Sequence, residues 1–176
     1  MTASGDTKTN LCTQCHSKKF SACCGLCEAK LCKKCRITLD FKDFLLLEEK
    51  PDYTSHPPYC PNCYDEKVYP DLLEYRQFET MANEVYFFTT NYREYIHVFS
   101  KHTKKVLVHK CDDRRQTILM LAYQAAKLGF NAIISAEIKS KKILVDQGYQ
   151  STEWSGSAMP ANVDGEKLDL LALKGF

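Results

Sequence analysis

Residues 12–35 read CTQCHSKKFSACCGLCEAKLCKKC, and after a gap of twenty-four residues positions 60–63 read CPNC. Four Cys-x-x-Cys pairs stand in this stretch: Cys12/Cys15, Cys24/Cys27, Cys32/Cys35 and Cys60/Cys63. Two thiolates two residues apart turn back on one metal through a tight knuckle, and four sulfurs complete the tetrahedral shell of a structural zinc ion. Eight such ligands make two closed sites with no position left for a water molecule, so two Zn²⁺ ions are expected as staples and not as catalysts. A redox motif needs one pair only, and an iron–sulfur cluster does not account for four. Spacing leaves open whether neighbouring or alternate pairs share a metal. Cys23 is an alternative to Cys24, which alone keeps the two-residue spacing to Cys27.

Outward from these pairs the chain is poor in thiols: nine of its ten cysteines lie between Cys12 and Cys63, and only Cys111 lies beyond. The remainder must fold on an apolar core, and 176 residues have room for a metal-stapled module plus one ordinary domain. The longest run free of Asp, Glu, Lys and Arg, Tyr53 to Tyr64, carries three prolines and cannot cross a bilayer as a helix. No apolar run follows a charged start near Met1, so a reducing, cytoplasmic setting is expected for the thiols. A net charge of +2 provides no general attraction to nucleic acid, which is not expected as a partner.

The cysteine run, with Phe20-Ser21 after the first pair, four residues between the second and third pairs, and Tyr59-Cys60-Pro61-Asn62-Cys63-Tyr64 at its close, resembles the FYVE-type zinc finger over residues 12–66. The resemblance implies interleaved wiring, with Cys12, Cys15, Cys32 and Cys35 on one zinc and Cys24, Cys27, Cys60 and Cys63 on the other. Members that read phosphatidylinositol 3-phosphate carry a Trp-x-x-Asp stretch, a basic run at the third cysteine and an Arg-Val-Cys. Here Thr7 to Asn10, Ser21-Ala22-Cys23 and Pro58-Tyr59 stand in those places, so membrane lipid is not expected as a ligand. Lys18, Lys19, Lys30, Lys33, Lys34 and Arg36 offset the formal −2 charge of each Cys₄ zinc site. A RING-type ubiquitin ligase is the enzymatic alternative, suggested by Cys60-Pro61-Asn62-Cys63. It lacks the usual His after the fourth ligand and shows polar Thr13 and Gln14 where an aliphatic contact is usual. His16 and His56 are read as surface or hydrogen-bonding groups.

Between the third and fourth pairs, residues from Ile37 onward suggest a short hairpin, and Phe41, Phe44, Leu45, Leu46 and Leu47 are expected to bury over the zinc knuckles. Tyr69-Pro70-Asp71 reads as a break ahead of a helix from Asp71 to Glu84. Beyond it, Val85–Thr90, Tyr95–Phe99 and Val106–His109 read as strands, the last two flanking a polar hairpin connection, SKHTKK. Asp113-x-x-Gln116 opens a helix with Ile118, Leu121, Ala122, Ala125 and Leu128 on its apolar face and Gly129 at its stop. Strands follow at Ala132–Ile134, Glu137–Lys139 and Tyr149–Met159, with Trp154 packing on Tyr149.

Thr89-Thr90, the run Leu128 to Ile134 and Ser155-Gly156-Ser157-Ala158 resemble the YbjQ-type, heavy-metal-binding-like family over Val85 to Pro160. Similar domains form rings, which implies a homo-oligomer. The fold class expected is α+β: a disordered N-terminus (1–10), a cross-braced two-zinc finger (11–68), a connecting helix (69–84) and a domain of antiparallel strands on one main helix (85–176). Cys111, placed by strand alternation on the same face as His109 and next to Asp112, is the one nucleophile-like grouping, and it carries no specific signature. The function expected is therefore that of a non-catalytic adaptor whose finger engages a protein partner, with no catalytic residue. Its alternatives are the RING-like ligase and a phosphoinositide-binding finger.

Overall fold

The computed structural model describes residues 10–16, 18–145 and 149–168; the N-terminus expected to be disordered lies, up to residue 9, outside them. The chain divides into two compact units, Met1–Leu45 with Glu49–Tyr75, and Leu46–Glu48 with Arg76–Phe176. Helices and strands occur in comparable amounts, as an α+β fold requires.

In the first unit, β1 (Ala22–Cys23) and β2 (Lys30–Leu31) form a minimal antiparallel pair, and isolated bridges join Leu11 to Lys19 and Ile37 to Tyr59. No hairpin forms after Ile37; the chain instead coils through a series of turns, because its one ladder partner is Tyr59 and not a neighbouring strand. The apolar cluster there also divides. Phe44 is buried, as is Leu46, which belongs to the second unit, whereas Phe41 is 80% exposed and Leu45 is exposed as well. Phe44 lies against Tyr53 and Tyr75, and Tyr53 lies edge-on to Tyr59, so an aromatic chain leads into the small core.

A short helical turn, α1 (Pro61–Cys63), passes through a π-helical turn (Tyr64–Val68) into α2 (Tyr69–Ala82). Pro70 therefore does not break the helix. Proline removes one ladder donor and its ring crowds the carbonyl four residues back, and a π-turn just upstream widens the coil at that place.

The second unit holds a five-stranded mixed sheet of β3 (Tyr86–Thr89), β4 (Val98–Lys101), β5 (Val106–Cys111), β6 (Ala132–Val145) and β7 (Tyr149–Val163). The helix α3 (Arg114–Lys127) packs on β5, β6 and β7. β6 and β7 form a long antiparallel hairpin, and β3 joins β6 in parallel, the one departure from the antiparallel expectation. The expected β4–β5 hairpin is absent. Both strands lie end to end along the same edge of β7, with Val98 opposite Val163, Lys101 opposite Ala161 and Val106 opposite Ala158. The polar residues between them form a bulge, since β7 is long enough to pair with both.

The two strands expected at Ala132–Ile134 and Glu137–Lys139 are one strand with a register shift at Ser135, whose φ is +52°. α3 starts as expected: the Gln116 N–H donates to Asp113 Oδ1 (2.7 Å), and Gln116 Oε1 accepts from the Asp112 N–H (2.6 Å). It ends in a Schellman turn, with Phe130 N–H donating to Ala125 O and Gly129 N–H to Ala126 O, around Gly129 at φ +79°. Thr117, Leu121 and Ala125 are fully buried, facing a sheet lined by Val108, Ile133, Ala158 and Ala161. Gly156 lets the helix approach, because a Cβ there would stand 2.8 Å from Thr117 Cγ2. Leu128, expected on the apolar face, is exposed. Trp154 is half-buried, while the Tyr149 side chain lies outside the described residues.

Candidate metal centres

The eight cysteines meet in two groups, Cys12, Cys15, Cys32 and Cys35, and Cys24, Cys27, Cys60 and Cys63, with the sulfurs of each group all within 4.8 Å of one another. First and third pairs thus converge, as do second and fourth, which is the cross-braced arrangement. A tetrahedron with metal–sulfur bonds of about 2.3 Å has edges of about 3.8 Å. Cys15 and Cys32 Sγ are 3.8 Å apart, and Cys27 and Cys60 Sγ 3.7 Å. Donor type, number and spacing therefore fit two zinc ions. The two groups also share one burial pattern: two ligands are buried, one is exposed and one is intermediate.

The convergence comes from backbone geometry repeated four times. His16 N–H donates to Cys12 O (2.9 Å), Glu28 N–H to Cys24 O (2.9 Å), Arg36 N–H to Cys32 O (3.2 Å) and Tyr64 N–H to Cys60 O (2.9 Å). Each bond closes a turn that aims both thiols of the pair inward. In the first two knuckles the residue after the second cysteine turns left-handed, His16 at φ +53° and Glu28 at φ +60°. The fourth runs on into helix, with Tyr64 at φ −65°. The β1–β2 pair then joins the sites, because the second knuckle fills the connection between its strands and the third follows β2 directly.

Within this frame, Cys24 is buried and in the second group, while Cys23 sits in β1 opposite Lys30 with its side chain exposed. Alternation along the strand decides between them. His16 and His56 belong to neither group.

Backbone donors also point at sulfur. The Cys60 N–H reaches Cys24 Sγ at 3.3 Å and the Cys63 N–H reaches Cys60 Sγ at 3.4 Å. For Cys24, burial opposes ionisation, but the N–H groups of Cys60, Leu26 and Cys27 outweigh it and bring the thiol down to about 6. Cys12 is lowered likewise, its burial outweighed by N–H groups of Cys15, Cys32 and Gln14. The neighbouring sulfurs, Cys32 first, push Cys35 up to about 12, and burial followed by the sulfurs of Cys60, Cys27 and Cys24 raises Cys63. Four sulfurs this close resist shared ionisation until a cation sits among them, which is the electrostatic case for a dication at each centre.

Around the second centre lies the unit's core: Cys24, Leu31, Tyr59, Cys60 and Val68 are buried together, flanked by Leu26, Leu39 and Tyr53. The Tyr59 hydroxyl donates to Tyr53 O, and the Tyr53 hydroxyl to Asp71 Oδ2 (2.7 Å). Spacing does not single out Gly25, yet it is where the chain at His56–Pro58 presses on the second knuckle. Its N–H donates to Pro58 O (2.9 Å), and a Cβ there would stand 1.6 Å from the His56 carbonyl oxygen. A glycine inside a ligand pair was the available signal.

The other sequence candidates do not assemble. Lys110 has φ +54° and the β5 register shifts before Cys111, so strand alternation fails. Cys111 turns inward, 2% exposed and 3.6 Å from Met120 Sδ, whereas His109 is exposed. Burial pushes the Cys111 thiol up, away from the reactive thiolate. Among the described residues, no helix is long and apolar enough to cross a membrane.

No family profile, curated protein or solved structure matches this chain.

Proposed function

We propose that the protein is a non-catalytic, zinc-stabilised adaptor whose finger engages another protein. The observation that carries the reading is the closure of both centres: each tetrad supplies four sulfurs, which leaves a zinc ion no position for water or substrate. Any zinc held there stabilises the chain and supplies no reaction step.

In this reading the finger is a degenerate relative of the FYVE type that has lost the phosphoinositide-binding residues. The second unit is a YbjQ-like domain that oligomerises the chain in the cytoplasm. Several fingers on one assembly would then act at high effective concentration and turn a modest contact into stable attachment. Phe41, standing out from the turns after the third pair, is the most exposed large apolar side chain of the finger among the described residues.

The test is a set of three assays on the zinc-loaded protein. A partner captured by wild-type protein and lost on Phe41→Ser supports the adaptor reading. Ubiquitin chains in a reconstituted conjugation assay, or retention on liposomes bearing phosphatidylinositol 3-phosphate, would replace it with the ligase or lipid reading. A strict monomer in light scattering at high concentration removes the avidity step alone.

A further inference from the structure

In the second unit, β3 accompanies β6 only as far as Thr89 opposite Ala136, where Thr90 N–H makes a last bond to Ala136 O (3.2 Å). From Ile138 to Val145, β6 pairs with β7 on one side, Ile138 opposite Gly156 through Val145 opposite Tyr149. Among the described residues its other edge has no strand partner. Alternate backbone N–H and C=O groups along such an edge are a template for an added strand.

Where this edge begins lies a cavity of about 310 Å³, lined by Thr89, Thr90, Asn91, Arg114, Glu137 and Lys139 among others. The Glu137 carboxylate is met by Lys139 Nζ at 3.4 Å. Arg114 has no ion pair among the described residues, and it opens α3, whose N-terminal end carries partial positive charge. Nearby, the Asp113 carboxylate is held by the Gln116 N–H. Farther along the edge stand exposed Lys141 and Lys142, the former opposite Glu153 on β7.

We infer that this edge and cavity bind the C-terminal end of an extended, acidic peptide, added antiparallel to β6 with its terminal carboxylate on Arg114. Direction follows from charge. β6 runs away from the cavity, so an antiparallel strand ends in it and brings a carboxylate, whereas a parallel strand would bring an ammonium group to a guanidinium. A planar fork of N–H donors matches a carboxylate in two-point contact. Side chains of the added strand lie beside Lys139, Lys141 and Lys142, which favours Glu and Asp. A second copy of this chain is disfavoured at the same edge, because two β6 edges paired about a two-fold axis set these lysines against one another. The site belongs to the second unit alone and stands or falls independently of any partner of the finger.

The experiment is fluorescence polarisation with the zinc-loaded full chain and a labelled peptide of alternating Glu and Val with a free C-terminal carboxylate. The free acid is expected to bind about tenfold or more tightly than its C-terminal amide, the range of a charge-assisted hydrogen bond. Arg114→Gln, an exposed substitution, should abolish that difference. Lys141→Glu together with Lys142→Glu should weaken acid and amide alike, with circular dichroism unchanged. Amide shifts on binding should map to Ile138–Leu144. Equal binding of acid and amide, retained discrimination in Arg114→Gln, or no binding by about 1 mM peptide overturns the inference. So does sedimentation showing that β6 edges of two copies pair instead.

Discussion

The two units reach a fixed structure by different physical routes. The first has a core of a few residues gathered at the second centre, and its two strands are two residues long. The second has one helix laid on a five-stranded sheet, with Thr117, Leu121, Ile133 and Val108 fully buried. One is held by coordinate bonds that bring distant sulfurs together, the other by apolar area removed from water. Small domains with too little core depend on such staples, and the length given to each unit reflects it.

Metal removal strains that contrast most. A structural zinc ion contributes on the order of 10 kcal/mol to a finger, so chelation should unfold the first unit and leave the second folded. Paired amide spectra with and without chelator check this, and a first unit that keeps its dispersed signals breaks the comparison. Acid should act in the same direction. The Cys24 thiol is lowered to about 6 in the folded chain from an ordinary value of 9.0. Its stabilising contribution is therefore present above the ordinary value and is lost as pH falls through about 6, with bound zinc moving the loss lower. The finger's signals should fade in acid before those of the sheet.

The core of the second unit supplies the next largest effect. Leu121→Ala removes a fully buried side chain against Gly156 and should cost about 2–5 kcal/mol in thermal unfolding of the second unit, with zinc content unchanged. A smaller and opposite pattern is expected for Gly25→Ala. A Cβ meeting the His56 carbonyl oxygen forces backbone movement that should cost about 1–3 kcal/mol and lower zinc stoichiometry at the second centre, measured by mass spectrometry under native conditions. Smallest is Asp113→Ala, which loses the cap on Gln116 N–H and should cost about 1 kcal/mol, visible only in the second unit's transition.

The sequence disclosed most where the signal is local and covalent. Cys-x-x-Cys spacing picked out all eight cysteines of the two groups, and the Asp113–Gln116 box and Gly129 marked both ends of α3, because each acts within a few residues of itself. The pairing of alternate knuckles came only with the resemblance, since spacing carries no record of which sulfurs meet. Failures fell where a distant partner overrides a local cue. The polar SKHTKK segment reads as a hairpin turn until a β7 long enough to pair with both flanking strands is known. Pro70 reads as a break until the π-turn ahead of it is seen. Alternation misplaced Cys111 because nothing in Lys110 announces a left-handed residue. Gly25 escapes a local reading because its neighbour at His56 is thirty-one residues away.

The hydrogen bond from the residue after each pair back to the first cysteine has a consequence for what the finger can present. The turn is fixed by main chain and thiols, so the two central residues contribute little to holding it. The four knuckles fill those places with Thr13-Gln14, Gly25-Leu26, Lys33-Lys34 and Pro61-Asn62, four unlike chemistries on one scaffold. The exposed ones, Thr13, Gln14, Lys33, Lys34 and Asn62, are display positions, whereas Gly25 meets His56 and Leu26 flanks the core. Mutational drift there could rewrite the surface while leaving the metal cage intact.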